Sequence, residues 1–364
     1  MKLTKHQLYL FKTLTELNAI SGLENEVACY LKSTYEKLGY PIVCDQMGSI
    51  FAYKKSKNPN AKKVMVVAHM DEVGFIVQSI LNNGMVKAFP IGGINEQTLL
   101  SSRVLLKGKK GYLKGCIGAI PPHLLTNADK DHQTAIKNML FDFGMTSKQE
   151  AIDAGIYMGA MMVVEGKFEV LNGGKRLLGK AFDDRYGIVL GIELLEALKD
   201  VDLPYDLYVG GSVQEEVGCR GALTASYSIH PDLAIVLDCS PAKDASGDTS
   251  ELGVLGKGVL YRVMDRTMIA FPEWIDFQQK CVKKSHAQGQ YYISPGGTDA
   301  GSIHKQFDGI PTLTHCLVAR NIHTCSTILD AEDYISSKKS LLYMLKHIDE
   351  ELLVKLGRAE HELG

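Results

Sequence analysis

The residues of this chain that could do chemistry are two imidazoles and a set of carboxylates, each at the end of an apolar run. They are His69 in AHMD, Asp183 in AFDD, Glu215 and Glu216 in QEE, Asp238 in VLDCS and His323 in ARNIH. Carboxylate-rich, thiolate-free ligation with two histidines suits Zn²⁺, with Mn²⁺ or Co²⁺ also accommodated. The count fits two divalent cations. If Asp183 bridges them, each needs two further protein ligands, and His69 with Asp238, and Glu216 with His323, supply them. Such a pair polarises a carbonyl and activates water, which is the equipment for hydrolysing an amide. Glu215 stays outside the ligand set, free to take a proton from the water as general base and deliver it to the leaving amine.

Each residue also has a plainer use. A single His closing an apolar strand is more often hydrogen-bonded structure than a ligand. Asp71 raises the case for His69: two residues on along an extended strand, its side chain returns to the same face. From there it can accept the proton of the other ring nitrogen and fix the tautomer, so Asp71 joins the catalytic residues as a supporting group. Asp183 and Asp184 precede a helical pattern, where acids offset unpaired N–H groups. With Asp183 as the bridge, Asp184 is left to cap the helix. Glu215 and Glu216 follow the apolar run LYVGGSV, an odd place for two solvated acids. His315 lies in the same apolar run as His323 but deeper in the strand, and is read as structural.

These residues need a sheet to hold them. VMVVAH, YDLYVGGSV and DLAIVLD are apolar runs suited to the buried parallel strands of an α/β sheet, with GSIFAYKK a further strand. Ligands at the C-terminal ends of sheet strands are where open α/β folds place their sites. The segment from Thr4 to Leu38 reads as helices broken at Ser21-Gly22. DDRYGIVLGIELLEALKD reads as an amphipathic helix, and AEDYISSKKSLLYMLKHIDEELLVKL as one long closing helix. Between about Gly74 and Gly174 the texture changes to short alternating strands punctuated by Gly, Asn and Pro, with one helical patch at SKQEAIDAG. The expected organisation is a catalytic domain over 1–73 plus 175–364, interrupted by a small β-rich domain over 74–174.

With 364 residues, 45% hydrophobic and 23% charged, the chain has the balance of a soluble globular protein. A formal net charge of -2 argues against nucleic acid or an anionic membrane surface as partner. A small molecule or peptide is the expected partner. No run reaches the ~20 apolar residues needed to span a bilayer. The eight cysteines form no CxxC pair and read as reduced, mostly buried thiols of a cytoplasmic protein.

The motifs AHMDEVGF, AFDDRYG, SVQEEVGCRGA, LDCSPA, GGTDAGSIH and ARNIH together resemble the M42 family of di-metal aminopeptidases, which includes glutamyl and tetrahedral aminopeptidases. The likeness runs from the first helix to the last. It implies an α/β zinc-peptidase-like catalytic domain, a mixed sheet flanked by helices, with an inserted β-barrel-like dimerisation domain. It also implies metal ligands at His69, Asp183, Glu216, Asp238 and His323, a general base at Glu215, and the H-x-D acid at Asp71. Homo-oligomers are implied too, commonly dodecamers built from dimers that admit peptides to an inner cavity. IPPHLL, around His123, resembles the inserted domain. Asn321 and Thr324 depart from the family's common Tyr and Ser, which bears on substrate preference.

The stretch between Asp238 and His323 is the natural place for a pocket reading the first residue's side chain. It holds Lys257, Arg262 and Arg266, and a guanidinium can bind a carboxylate through two parallel hydrogen bonds. Arg262 is therefore expected to favour N-terminal Glu or Asp, unless both arginines are solvated edge charges. Neutral or broad specificity, an N-acyl amino-acid deacylase using the same cations, and a non-catalytic metal-binding scaffold are the competing functions. The scaffold is disfavoured because Glu215, needed for turnover but not for affinity, is present.

Overall fold

The run KVMVVAH forms β3 (Lys63–His69), the strand around which the computed structural model is organised. The structure describes residues 2–124, 134–247 and 253–356. Side chains alternate across β3: Val64, Val66 and Ala68 enter one core, while Met65 and Val67 enter another on the opposite face. Both faces are covered, so the strand reads as continuously apolar.

Ahead of β3 lie α1 (Lys5–Glu16), α2 (Asn25–Leu38), β1 (Ile42–Cys44) and β2 (Ile50–Lys54). Thr4 and Gln7 cap α1 reciprocally, each side chain bonding the other's backbone N–H. After β3 come β4 (Gly74–Ile80), β5 (Val86–Ile91), β6 (Arg103–Gly108), β7 (Gly111–Ile117), β8 (Phe141–Asp142), α3 (Lys148–Asp153) and β9 (Met161–Val164). The six strands close into a barrel in the order β4-β5-β8-β7-β6-β9. Its interior has its own apolar core, including Phe75, Val104, Leu106, Phe141 and Met162. His123 sits exposed in a 3-10 turn of this segment; Leu125 of IPPHLL lies outside the described residues.

The chain continues through β10 (Glu169–Leu171), β11 (Arg176–Gly179), α4 (Phe182–Leu198), β12 (Asp206–Ser212), α5 (Arg220–Ile229), β13 (Leu233–Val236) and β14 (Cys239–Pro241). Then follow β15 (Val259–Met264), α6 (Pro272–Lys284), β16 (Gly289–Ile293), α7 (Ala300–Ile303), β17 (Thr312–Thr314), β18 (Leu317–Arg320), β19 (Thr327–Asp330), α8 (Ala331–His347) and α9 (Glu350–Leu356). The main sheet runs β1-β2-β12-β3-β13-β17. It is mixed: β12, β3, β13 and β17 pair in parallel, and β2 pairs antiparallel with β12 and with β1. A second sheet, β10-β11-β19-β18-β14, and the parallel pair β15-β16 complete the layers.

The helix α4 is not amphipathic as its sequence suggested. Every residue from Phe182 to Leu195 is buried. It lies against β3, with α1 and α8 on its other sides, so no face is left for water. TLTHCLVARNIH is two strands in different sheets rather than one, with His315 at the break. The closing helix also breaks, at Ile348-Asp349, where Asp349 accepts the N–H of Leu352 and starts a new turn. All eight cysteines are unpaired, and Cys29, Cys44 and Cys116 are exposed, so the expected burial holds for only part of them. Among the described residues no helix is long and apolar enough to cross a membrane.

Candidate active site

His69 is the last residue of β3, and the parallel strands beside it deliver their chain ends to the same edge. Past β12 comes the Glu215-Glu216 turn; past β13 comes Asp238; past β18 comes the turn holding His323. Asp183 sits at the start of α4, before its backbone becomes helical. Asp184 turns its carboxylate inward, accepting the N–H of Gly187 at 3.3 Å, as a helix cap does, and the N–H of His69 at 3.3 Å. Glycine at 187 makes this possible, because a Cβ there would come within 2.7 Å of Asp184 Oδ2.

The structure brings the five candidate ligands together in two overlapping groups. His69, Asp183 and Asp238 offer ligand atoms within 4.8 Å of one another, as do Asp183, Glu216 and His323. Asp183 is common to both. Its Oδ1 lies 3.1 Å from His69 Nε2 and its Oδ2 3.2 Å from His323 Nε2. His323 Nε2 is also 3.3 Å from Glu216 Oε1. Each imidazole commits its other nitrogen to a backbone carbonyl. His69 Nδ1 lies 2.9 Å from the Asp71 carbonyl, and His323 Nδ1 lies 2.7 Å from that of Gly93, in the barrel segment. Both Nε2 atoms are thereby aimed at the carboxylates.

The carboxylate of Asp71 has a different task from the one its spacing suggested. It stands 3.6 Å from His69 Nδ1, beyond hydrogen-bond reach. Instead its Oδ1 accepts the backbone N–H of Glu215 at 3.0 Å, and its Oδ2 that of Glu216 at 3.1 Å and the hydroxyl of Ser21 at 2.5 Å. Although burial pushes its pKa up, the neighbouring His69 and the Ser21 bond hold it below the usual carboxylate range. The backbone of both glutamates is thus clamped by one buried anion. Glu24 repeats the device one residue earlier, accepting the N–H of Gln214 at 3.0 Å and of Gly22 at 2.7 Å.

The remaining acids are crowded and short of counter-charge. Burial, reinforced by the neighbouring carboxylates, raises Asp238 and Glu215 well above the usual range and Glu216 to about 7. Against the downward push of burial, Asp183 and Glu216 raise His323 to about 10. The cluster therefore holds more buried negative charge than two imidazoles can offset, which together with the aimed Nε2 atoms fits a donor set built for divalent cations. Glu215 belongs to neither group above. Its Oε1 accepts from Cys219 Sγ at 3.2 Å.

Several participants escaped the sequence reading. Asp299 of GGTDAG is buried beside Glu215 and Cys219, held by the hydroxyl of Ser212. Its position before a short helix reads as a cap. Tyr186 hydroxyl donates to the Asp238 carbonyl at 2.7 Å and accepts the Asp238 N–H at 3.2 Å, fixing the end of β13. Asn321 and His323 both have left-handed backbone, φ 56° and 60°. Thr324 Oγ1 donates to the Asn321 carbonyl at 2.7 Å, so both residues shape the turn that presents His323. His315 faces away from the cluster. It bonds Gln278, the Ser337 carbonyl and Ser340.

His69, Asp183, Glu215, Glu216, Asp238 and His323 line a cleft of about 640 Å³, which also holds Arg262, Arg266, Ser240 and the Gly296-Gly297 turn. Arg262 is buried with both terminal nitrogens engaged, whereas the sequence suggested a free fork. Nη1 bonds Ser240 Oγ at 3.2 Å, and Nη2 bonds the Gly296 carbonyl at 3.0 Å and pairs with Asp265 at 3.1 Å. Lys257 is not among the lining residues.

Comparison with known proteins agrees along almost the whole chain. A family model described as M42 glutamyl aminopeptidase matches residues 48–339. A glutamyl aminopeptidase of Lactococcus lactis is 38% identical over 347 residues, 95% of this chain and 97% of that protein. The crystal structure of a TET aminopeptidase from a marine-sediment archaeon, Thaumarchaeota archaeon SCGC AB-539-E09, superposes with a TM-score of 0.93 at 33% identity. That match covers 97% of this chain and all of the other. The TET1 peptidase of Pyrococcus horikoshii, which can assemble into a tetrahedron or a large octahedral shell, matches with a TM-score of 0.85 at 25% identity, covering 94% of this chain and all of the other.

Proposed function

Because the chain belongs to the M42 glutamyl aminopeptidase family, we propose that it releases N-terminal residues from peptides, favouring Glu or Asp, at a centre holding two divalent cations. The observation that carries this reading is the pair of ligand groups sharing Asp183, with Glu215 beside them and outside both. His69 and Asp238 would hold one cation, Glu216 and His323 the other, with Asp183 between. When bound, such cations polarise the scissile carbonyl and make water nucleophilic near neutral pH; Zn²⁺ suits the donors best, with Co²⁺ or Mn²⁺ acceptable.

The chain's own residues do the rest. Glu215 Oε takes the proton of the attacking water and hands it to the departing amine nitrogen. Burial and the neighbouring carboxylates push its pKa up, the direction that favours taking a proton. Asp71, through the N–H groups of Glu215 and Glu216, keeps the base and a ligand in register. The substrate's ammonium is met by the carboxylates of the cleft, and its acidic side chain by the arginine-bearing wall. Assembly through the barrel into dimers, and of dimers into a dodecamer acting in the cytoplasm, completes the reading; the assemblies of the Pyrococcus relative support it.

The test is kcat/KM on Glu-, Ala- and Leu-p-nitroanilide and on the acetylated Glu compound, for wild type and Glu215→Gln. Glu should lead, acetylation should abolish turnover, and Glu215→Gln should retain two cations yet lose most activity. A wild type that releases acetate from the acetylated compound while leaving its anilide bond intact is a deacylase, and a fully active Glu215→Gln removes the assigned base.

A further inference from the structure

The two arginines on the wall of the cleft differ in what they are free to do. Arg262 is 2% exposed, and its Nη2 pairs with Asp265 Oδ2, so the two charges cancel. The other oxygen of Asp265 accepts the N–H of Thr267 at 2.7 Å, its hydroxyl at 2.7 Å, and the N–H of Met268 at 2.9 Å. An aspartate that bonds the backbone two and three residues on closes a tight turn. Arg266 occupies the outer corner of that turn. It is exposed, lines the same cleft as the catalytic carboxylates, and has no hydrogen-bond or ion-pair partner among the described residues.

We infer that Arg266, rather than Arg262, reads the acidic side chain of the substrate's first residue, and that the Arg262–Asp265 pair is the brace that aims it. This rests on the acidic preference proposed above. Once Arg262 is neutralised by Asp265, Arg266 is the remaining lysine or arginine charge on the described lining of the cleft. Its five donors are unspent and can meet a carboxylate in a two-bond fork. Arg262, by contrast, has only a buried Nε without a partner, which cannot offer a fork. Asp265 therefore acts twice: one oxygen folds the turn, and the other, without a hydrogen bond, sets its charge 3.1 Å from the arginine behind. A bound acidic residue would lie between Arg266 and the carboxylate edge, with its ammonium and carboxylate drawn to opposite sides of the cleft.

The experiment compares the holoenzyme with Arg266→Ala and Arg266→Glu on Glu-, Asp-, Leu- and Lys-p-nitroanilide. The residue is exposed, so neither change threatens folding. Arg266→Ala should lower the Glu-to-Leu ratio of kcat/KM about tenfold or more, chiefly through KM. Arg266→Glu should put Lys ahead of Glu. If wild type prefers Glu and both variants keep that ratio, Arg266 is not the reader, while the acidic preference stands. A wild type indifferent to Glu removes that preference, and this inference with it.

Discussion

Replacing Asp71 by Asn tests whether one buried carboxylate sets the geometry of the catalytic turn. The side chain keeps its shape but exchanges one acceptor for a donor. Oδ1 now meets the Glu215 N–H, and Oδ2 meets the Glu216 N–H and the Ser21 hydroxyl. Whichever way the amide is flipped, its NH₂ faces one of the two glutamate N–H groups and orphans it. A buried donor left without a partner costs about 1–3 kcal/mol. Spent on displacing Glu215 or Glu216, that cost becomes a fall in kcat of about 5- to 150-fold, with KM little changed. Ser21→Ala removes one donor and leaves both N–H bonds in place, so its cost is about 0.5–1.5 kcal/mol, or between about two- and tenfold. Both variants should be assayed on a Glu-anilide at saturating Zn²⁺ or Co²⁺, with cation content measured by elemental analysis to separate a lost ion from a misplaced base. Asp71→Asn with wild-type kcat, or Ser21→Ala as damaging as Asp71→Asn, refutes the clamp.

Chelation should lower the melting temperature as well as the activity, because Asp183, Glu216 and Asp238 are then left facing one another. Free Zn²⁺ at a thousand times its Kd should return about 4 kcal/mol per site, and a melting curve indifferent to chelator would contradict the charge balance described. Burial, only partly opposed by the Ser337 carbonyl, holds His315 down to about 4, against about 6.5 when unfolded. Its contribution is therefore complete above pH 6.5 and is lost as pH falls toward 4. Between pH 7 and 5 urea unfolding should report a loss of roughly 2 kcal/mol from this residue. His315→Gln should flatten that slope, and an unchanged slope would show that the ring is not held neutral.

Periodicity made the sheet readable: VMVVAH became a strand buried on both faces, and the acids and imidazoles closing such runs met at one edge. What escaped was set by partners distant in sequence. Nothing near Asp71 announces that its acceptors serve Glu215 and Glu216, some 145 residues on. Ser21 looked like a helix break and is also a donor to that carboxylate. The burial of α4 on all sides follows from the sheet and the helices packed around it, which a single helix's pattern does not contain. Arg262 and Arg266 are four residues apart and chemically identical in sequence. Asp265, beside Arg266, neutralises the one and presents the other.

The hydrogen bond between His323 Nδ1 and the Gly93 carbonyl crosses from the strand-end turn to the inserted barrel segment. A minimal enzyme made by excising that insertion would thus lose more than a separate barrel. The ring would be free to swing about its Cβ–Cγ bond, and the Nε2 atom aimed at Asp183 and Glu216 would become a pendulum. The insertion and the reaction centre are in this sense one machine part, and neither can be transplanted without the other.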